Sequence, residues 1–272
     1  MGNNKFKYIL DKEISSMIPE ELLDEYNDIM NNELRSVLRA NSIRRYLEGI
    51  LELFIRNNIL KNIGVSQEIW NEKDLYNKIK MIGGYYDREI QSKFHEIRIV
   101  GNKGSHFGSN VDEEEINKSI LIINNIFEYL IIEYFKKYRF GSEAPVLTLL
   151  SALPPRSRVK IIEEVRKNDE FNEWTIDKLS MAYLKSGDIE KSKEFLKKCL
   201  INNYIDEQGY DDYMWKMDAL NANIDKFDIS KNILDTKRIV DALTQSSESY
   251  KKYPEFLELF LILLSGYNYQ KA

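Results

Sequence analysis

The sequence contains one cysteine, Cys199, and only two histidines, His95 and His106, in 272 residues. A single thiol cannot build an internal disulfide framework, and such sparing use fits a reducing cytoplasm. Two imidazoles with Cys199 far away in sequence fall short of a structural zinc set, so neither a metal nor another cofactor is expected. Prolines number 5 and glycines 12, which leaves few chain breaks and favours long helices. No apolar run is clean enough for a membrane span. The most apolar stretch, Ile116 to Phe135, is broken by Asn117, Lys118, Asn124, Asn125, Glu128 and Glu133 and reads as core helix. Residues 1–18 hold no apolar segment of signal-peptide length, and the Met-Gly start is followed by Phe6 where a myristoylation signal wants Ser or Thr. Basic excess is missing too. The net charge is −5, so any contact with nucleic acid has to be local, unlike that of a general duplex-DNA binder.

What the chain does have is helical periodicity. Hydrophobic residues make up 43% and charged ones 31%, the balance of a folded globular protein. Pro19-Glu20-Glu21 suits a helix start. Ile43, Leu47, Ile50, Leu51, Phe54 and Ile55 fall at spacings of three and four and make one apolar face. The spacing predicts a helix from Trp70 to Ile82, ended by Gly83-Gly84, and another over residues 85–100. Asn110 with Glu113 offers a capping box for the helix that follows, and Lys136, Lys137 and Arg139 suit its negative end. Tyr85 and Tyr86 are candidates for stacking on bases, although packing is the commoner use of such residues. The expected fold is all-α, with no β-sheet.

Polar chemistry concentrates between Phe94 and His106, in FHEIRIVGNKGSH. His95 and Arg98 are three apart and share a face if the segment is helical. Gly101 and Gly104 are expected to end or interrupt that helix, with Asn102 and Ser105 suited to the break. His106 then follows the break, where Arg98 and Asn102 can turn back towards it. A neutral imidazole beside a guanidinium and an amide can take a proton while the arginine holds an anionic oxygen. The plainer alternative is a helix end with a satisfied histidine.

The pattern Phe94-His95-x-Ile97-Arg98-x-x-Gly101-Asn102-x-x-x-His106 resembles the signature of the HEPN superfamily. More narrowly, it is similar to the HEPN-like domain of unknown function in some type I restriction subunits and bacterial defence proteins. An Arg-x-x-Leu-Glu type of segment in that family is matched by Arg44, Arg45, Leu47 and Glu48, and the resemblance covers roughly residues 20 to 140. It implies a metal-independent ribonuclease of a bacterial or phage conflict system, with a composite site formed across a homodimer. Carried over, Arg98, Asn102 and His106 are the catalytic candidates, with His95, Lys103, Arg44 and Glu48 in support and RNA as the ligand. The sequence departs from the family in two ways: seven residues separate Arg98 from His106, more than is usual, and Gly101 stands where an arginine is usual. Taken alone, Arg44 and Glu48 read as an i,i+4 ion pair.

Gly141-Ser142-Glu143-Ala144-Pro145 is the expected boundary, giving a helical bundle over 1–140 and a second helical domain over 145–272. Within the latter, Tyr183, Gly187, Ser192 and Cys199 sit at the spacing of a tetratricopeptide repeat, which the segment Ala182 to Leu200 resembles. That resemblance implies helical hairpins that bind a partner protein. Cys199 is expected to be a buried small residue, Tyr210, Tyr213, Trp215 and Met217 to form an aromatic cluster that serves as core or, alternatively, as an interface, with core the commoner use, and Pro254 to start a last helix ended by Gly266. A non-catalytic helical scaffold that docks a partner through its C-terminal helices is therefore the alternative to the ribonuclease.

Overall fold

A computed structural model describes residues 17–54, 60, 63–106, 108, 110–167, 172–264 and 267. Most of residues 1–18, together with Ile55 and Gly266, lie outside them. Among the described residues the fold is all-α, without a strand. The helices are α1 Leu23–Met30, α2 Ser36–Phe54, α3 Gln67–Asn71, α4 Leu75–Tyr85, α5 Arg88–Gly104, α6 Glu113–Asn124 and α7 Ile126–Lys137. They are followed by α8 Ala144–Leu150, α9 Pro155–Val165, α10 Glu173–Lys185, α11 Ile189–Ile201, α12 Glu207–Asn221, α13 Ile233–Ser246 and α14 Pro254–Leu264. None of them is long and apolar enough to cross a membrane.

The chain forms two compact units, one of residues 17–130 with 259–267 and the other of residues 131–258. Residues 141–143 form a turn inside the second unit, and Ala144 and Pro145 begin α8. Gly141 makes that turn at φ +89, and Phe140 before it is buried 4.8 Å from the ring of Phe135.

In the first unit α2 is the central helix and packs mainly against α5. Ile43, Tyr46, Leu47, Ile50 and Leu51 of α2 are fully buried, as the periodicity requires, with Ile90, Phe94 and Ile97 of α5 opposite them. Two glycines set how closely these helices approach. A Cβ on Gly101 would lie 2.9 Å from the Cα of Arg44, and one on Gly104 would lie 2.4 Å from the backbone nitrogen of Asn41. Both glycines are contact points: Gly101 lies inside α5 without interrupting it, and Gly104 is its last residue, so the helix ends where expected. Arg39 of α2, almost fully buried, donates to the carbonyl of Ile29 at 2.8 Å and pairs with Glu113 at 2.7 Å, tying α1 and α6 to α2.

Several boundaries differ from those the sequence suggests. The segment expected as one helix from Trp70 is two, because Asp74 caps a new helix by accepting from the backbone of Asn77 at 2.8 Å. Gly83 and Gly84 lie inside α4. The capping box before α6 is Asp112 with Glu115, two residues beyond Asn110 and Glu113. The apolar run from Ile116 breaks at Asn125, whose amide donates to the carbonyl of Leu121 at 2.6 Å.

The second unit stacks α9, α10, α11 and α12, each packed on the next. Gly187 turns α10 into α11 at φ +89, and Ser192 donates to the carbonyl of Ser180 at 2.8 Å where the two helices meet. Cys199 is free and buried. Of the four residues expected in a core on α12, only Met217 is fully buried, and Trp215 is 75% exposed.

Candidate functional site

Helix α5 sorts its residues into two stripes. Phe94, Ile97 and Gly101 are buried against α2. His95, Arg98 and Asn102, one position on at the same spacings of three and four, form a partly exposed polar stripe beside them. Neighbouring helices supply its flanks. Tyr76 of α4 stacks on His95 with ring centroids 4.9 Å apart, and the guanidinium carbon of Arg98 lies 5.3 Å from the same ring. Arg44 and Glu48 of α2 flank the other end.

The hydrogen bonds along this stripe run in one direction. Arg98 Nε donates to His95 Nδ1 at 3.3 Å, and Arg44 Nη1 donates to Asn102 Oδ1 at 2.9 Å. Arg44 Nε also donates to Glu48 at 2.9 Å, so its charge is partly neutralised. Both acceptors of the stripe are thus taken by arginines. What remains for a ligand is donors: the terminal nitrogens of Arg98, the amide nitrogen of Asn102 and, in the neutral ring, the Nε2 proton of His95. Partial burial, and then the adjacent Arg98, push the His95 pKa below its ordinary value, which keeps the ring neutral. No carboxylate pairs with Arg98 among the described residues. A partly desolvated, donor-only strip with an unneutralised guanidinium is chemically an oxyanion site.

The seven residues singled out from the sequence are distributed as follows. Arg98 is joined to His95, and Asn102 to Arg44 and through it to Glu48. Lys103 is engaged elsewhere, donating to Glu115 at 2.6 Å and fastening the end of α5 to α6. That bond holds the Glu115 carboxyl below the usual carboxylate range. His106 stands apart. It is exposed on the bend after α5, and among the described residues it is held through its backbone nitrogen, 3.4 Å from the carbonyl of Lys103. Arg98 is directed one turn towards the helix N-terminus, as side chains on a helix are, and so away from His106. No hydrogen bond joins Arg98 or Asn102 to His106 among the described residues.

Tyr76 is the residue that sequence reasoning missed. It comes from a different helix, and nothing in its own segment sets it apart from Tyr85 and Tyr86, which instead pair edge to face at 4.9 Å at the end of α4. Among the described residues no group of three or more His, Cys, Asp or Glu side chains is placed to hold a metal ion.

No curated protein and no solved structure matches this chain. Residues 24–166, just over half of the sequence, match the profile of a domain of unknown function, DUF4145, and the protein belongs to that family.

Proposed function

We propose that the first unit is a HEPN-like RNA-binding domain of a bacterial or phage conflict system, and that it cleaves RNA without a metal. The observation that carries this reading is the capping of both acceptors on the α5 stripe by arginines, which leaves donors and an unneutralised guanidinium beside an aromatic ring. A phosphodiester supplies the matching acceptors, and a base supplies a face for Tyr76. In this reading Arg98 binds the scissile phosphate and Asn102 orients it. Arg44 and Glu48 hold Asn102, and His95 with Tyr76 holds Arg98. The stripe itself has no free base, since the His95 Nδ1 lone pair is occupied. His106 is the group left to take the 2′-hydroxyl proton or to protonate the leaving oxygen.

The test is labelled single-stranded RNA with purified protein in EDTA. Wild type should cut, and His106→Ala should lose about a hundred- to ten-thousand-fold in rate while still binding. Arg98→Ala should weaken binding itself. Absence of cleavage by wild type across varied RNAs would reject catalysis, and unchanged binding by Arg98→Ala would reject the phosphate role.

A second reading is favoured by one geometric fact: Arg98 is turned back onto His95, away from His106. In this reading the domain is a non-catalytic scaffold, and its C-terminal helices engage a partner protein. Trp215 at 75% exposure and Ile201 at 67% are the apolar groups such a partner would cover.

A further inference from the structure

The second unit contains a cation that its surroundings do not balance. Arg158 lies on the buried face of α9 with Ile161, Ile162 and Val165, one helical repeat apart, and is only 6% exposed. Its Nε is sealed from solvent without a hydrogen-bond partner, and no carboxylate pairs with it among the described residues. Burial alone pushes its pKa down to about 10. A guanidinium left in this state is costly, and native structures rarely keep one without an acceptor.

More positive charge gathers beside it. Helices α9 and α10 run side by side, with Tyr183 reaching Glu163, and the charge of Arg158, one and a half turns earlier on α9, is felt by Lys185 on α10. Lys185 at the end of α10 is partly buried and also feels Lys178 of α10 and Lys216 of α12. The opposing charge is Asp177, which pairs with Lys178 at 3.3 Å and accepts from Lys216. Phe227 places its ring 5.7 Å from the Lys185 ammonium and is 46% exposed. Asp177 thus opposes three lysines at once, and Arg158 has no carboxylate partner among the described residues.

We propose that Arg158 and Lys185, with Lys178 and Lys216 beside them, form a binding site for a phosphoryl dianion, either inorganic phosphate or the monoester of a small molecule. The charge count selects this ligand over a carboxylate, because the cations exceed the single Asp177 by more than one charge. Arg158 supplies the terminal nitrogens of a guanidinium that lacks an acceptor, and Lys185 supplies a point charge. Phe227 gives the organic part of a monoester an apolar face. The site is independent of the stripe on α5.

Thermal unfolding of the full-length protein in phosphate, compared with chloride at matched ionic strength, tests this. Wild type should rise by roughly 3–6 °C at ten times Kd, since ligand that binds only the folded state stabilises it. Arg158→Met should lose that rise and, without phosphate, unfold no earlier than wild type, because it removes an uncompensated buried charge. Lys185→Gln should weaken the phosphate effect about tenfold in concentration, which keeps the test informative if Arg158→Met does not fold. Titration calorimetry with adenosine monophosphate alongside phosphate separates the sources: tighter binding of the ester identifies a small-molecule monoester, and equal binding identifies the free anion. A wild type that responds to neither, or phosphate responses of Lys185→Gln and Arg158→Met that equal that of wild type, overturns the proposal.

Discussion

His95 shows how a residue prominent in the sequence acquires a different role once its neighbours are in place. As one of two histidines it is an obvious proton carrier, yet Arg98 donates to its Nδ1 and Tyr76 covers its face. Burial and then Arg98 lower its pKa from the ordinary 6.5. The folded protein thus resists protonation that the unfolded chain accepts, so His95 costs stability as pH falls below about 6.5. Protonation also removes the acceptor that holds Arg98. Replacing His95 with glutamine keeps an acceptor and removes the titration. The expected result is that His95→Gln gains Tm relative to wild type as pH is lowered from about 7 to about 5, with the difference smallest at pH 7. A difference that does not change with pH would show that Arg98 does not depend on a neutral ring. At this scale the sequence marked where polar residues concentrate and was silent about their pairing. Arg98 meets His95, and Asn102 meets the Arg44–Glu48 pair; Tyr76 could not be found, because its place beside His95 is set by a helix packing that no local pattern records.

Element boundaries were legible wherever a local signal acts alone. The apolar face of α2, the start of α14 at Pro254 and the turn at Gly187 lie where their residues place them. The errors arise where tertiary contact overrides propensity. Asn110 and Glu113 form a plausible cap, but Asp112 and Glu115 make the one observed, and Glu113 is drawn to Arg39 and Ser36 of α2 instead. Gly101 has the composition of a break and the function of a seam, while Gly104 is both the last residue of α5 and part of that seam. This is testable by contrast with Gly84, a helical glycine whose added Cβ would meet nothing within 4 Å. Gly101→Ala should destabilise the protein by about 1–3 kcal/mol, since Arg44 presents backbone rather than a movable side-chain tip. Gly84→Ala should stabilise it by up to about 1 kcal/mol through helix propensity alone. Denaturant unfolding of the two variants checks both signs. Stabilisation by Gly101→Ala would mean that α2 and α5 are not in close contact there.

For the whole molecule, the open question about the proposed ribonuclease is how His106 and Arg98 come to act on one phosphate. Within a chain they point apart, and more than a helical turn separates Arg98 from the end of α5, about 9 Å of rise. In the proposed reading, a two-fold homodimer would resolve this by setting His106 of one copy near Arg98 of the other. Subunit mixing distinguishes the arrangements. Arg98→Ala and His106→Ala should each be inactive as pure proteins. If each site draws its arginine and histidine from different copies, a mixed dimer contains one site with both residues intact and one with neither. Random exchange then makes half of the dimers mixed, and the mixture should recover about a quarter of wild-type cleavage. If both residues act within one copy, every site in the mixed dimer lacks one of them and no activity returns. Light scattering at micromolar concentration sets the precondition, since a monomer cannot complement at all. Recovery in the mixture, measured on the same RNA in EDTA and lost when either parent is omitted, is the outcome expected of a shared site.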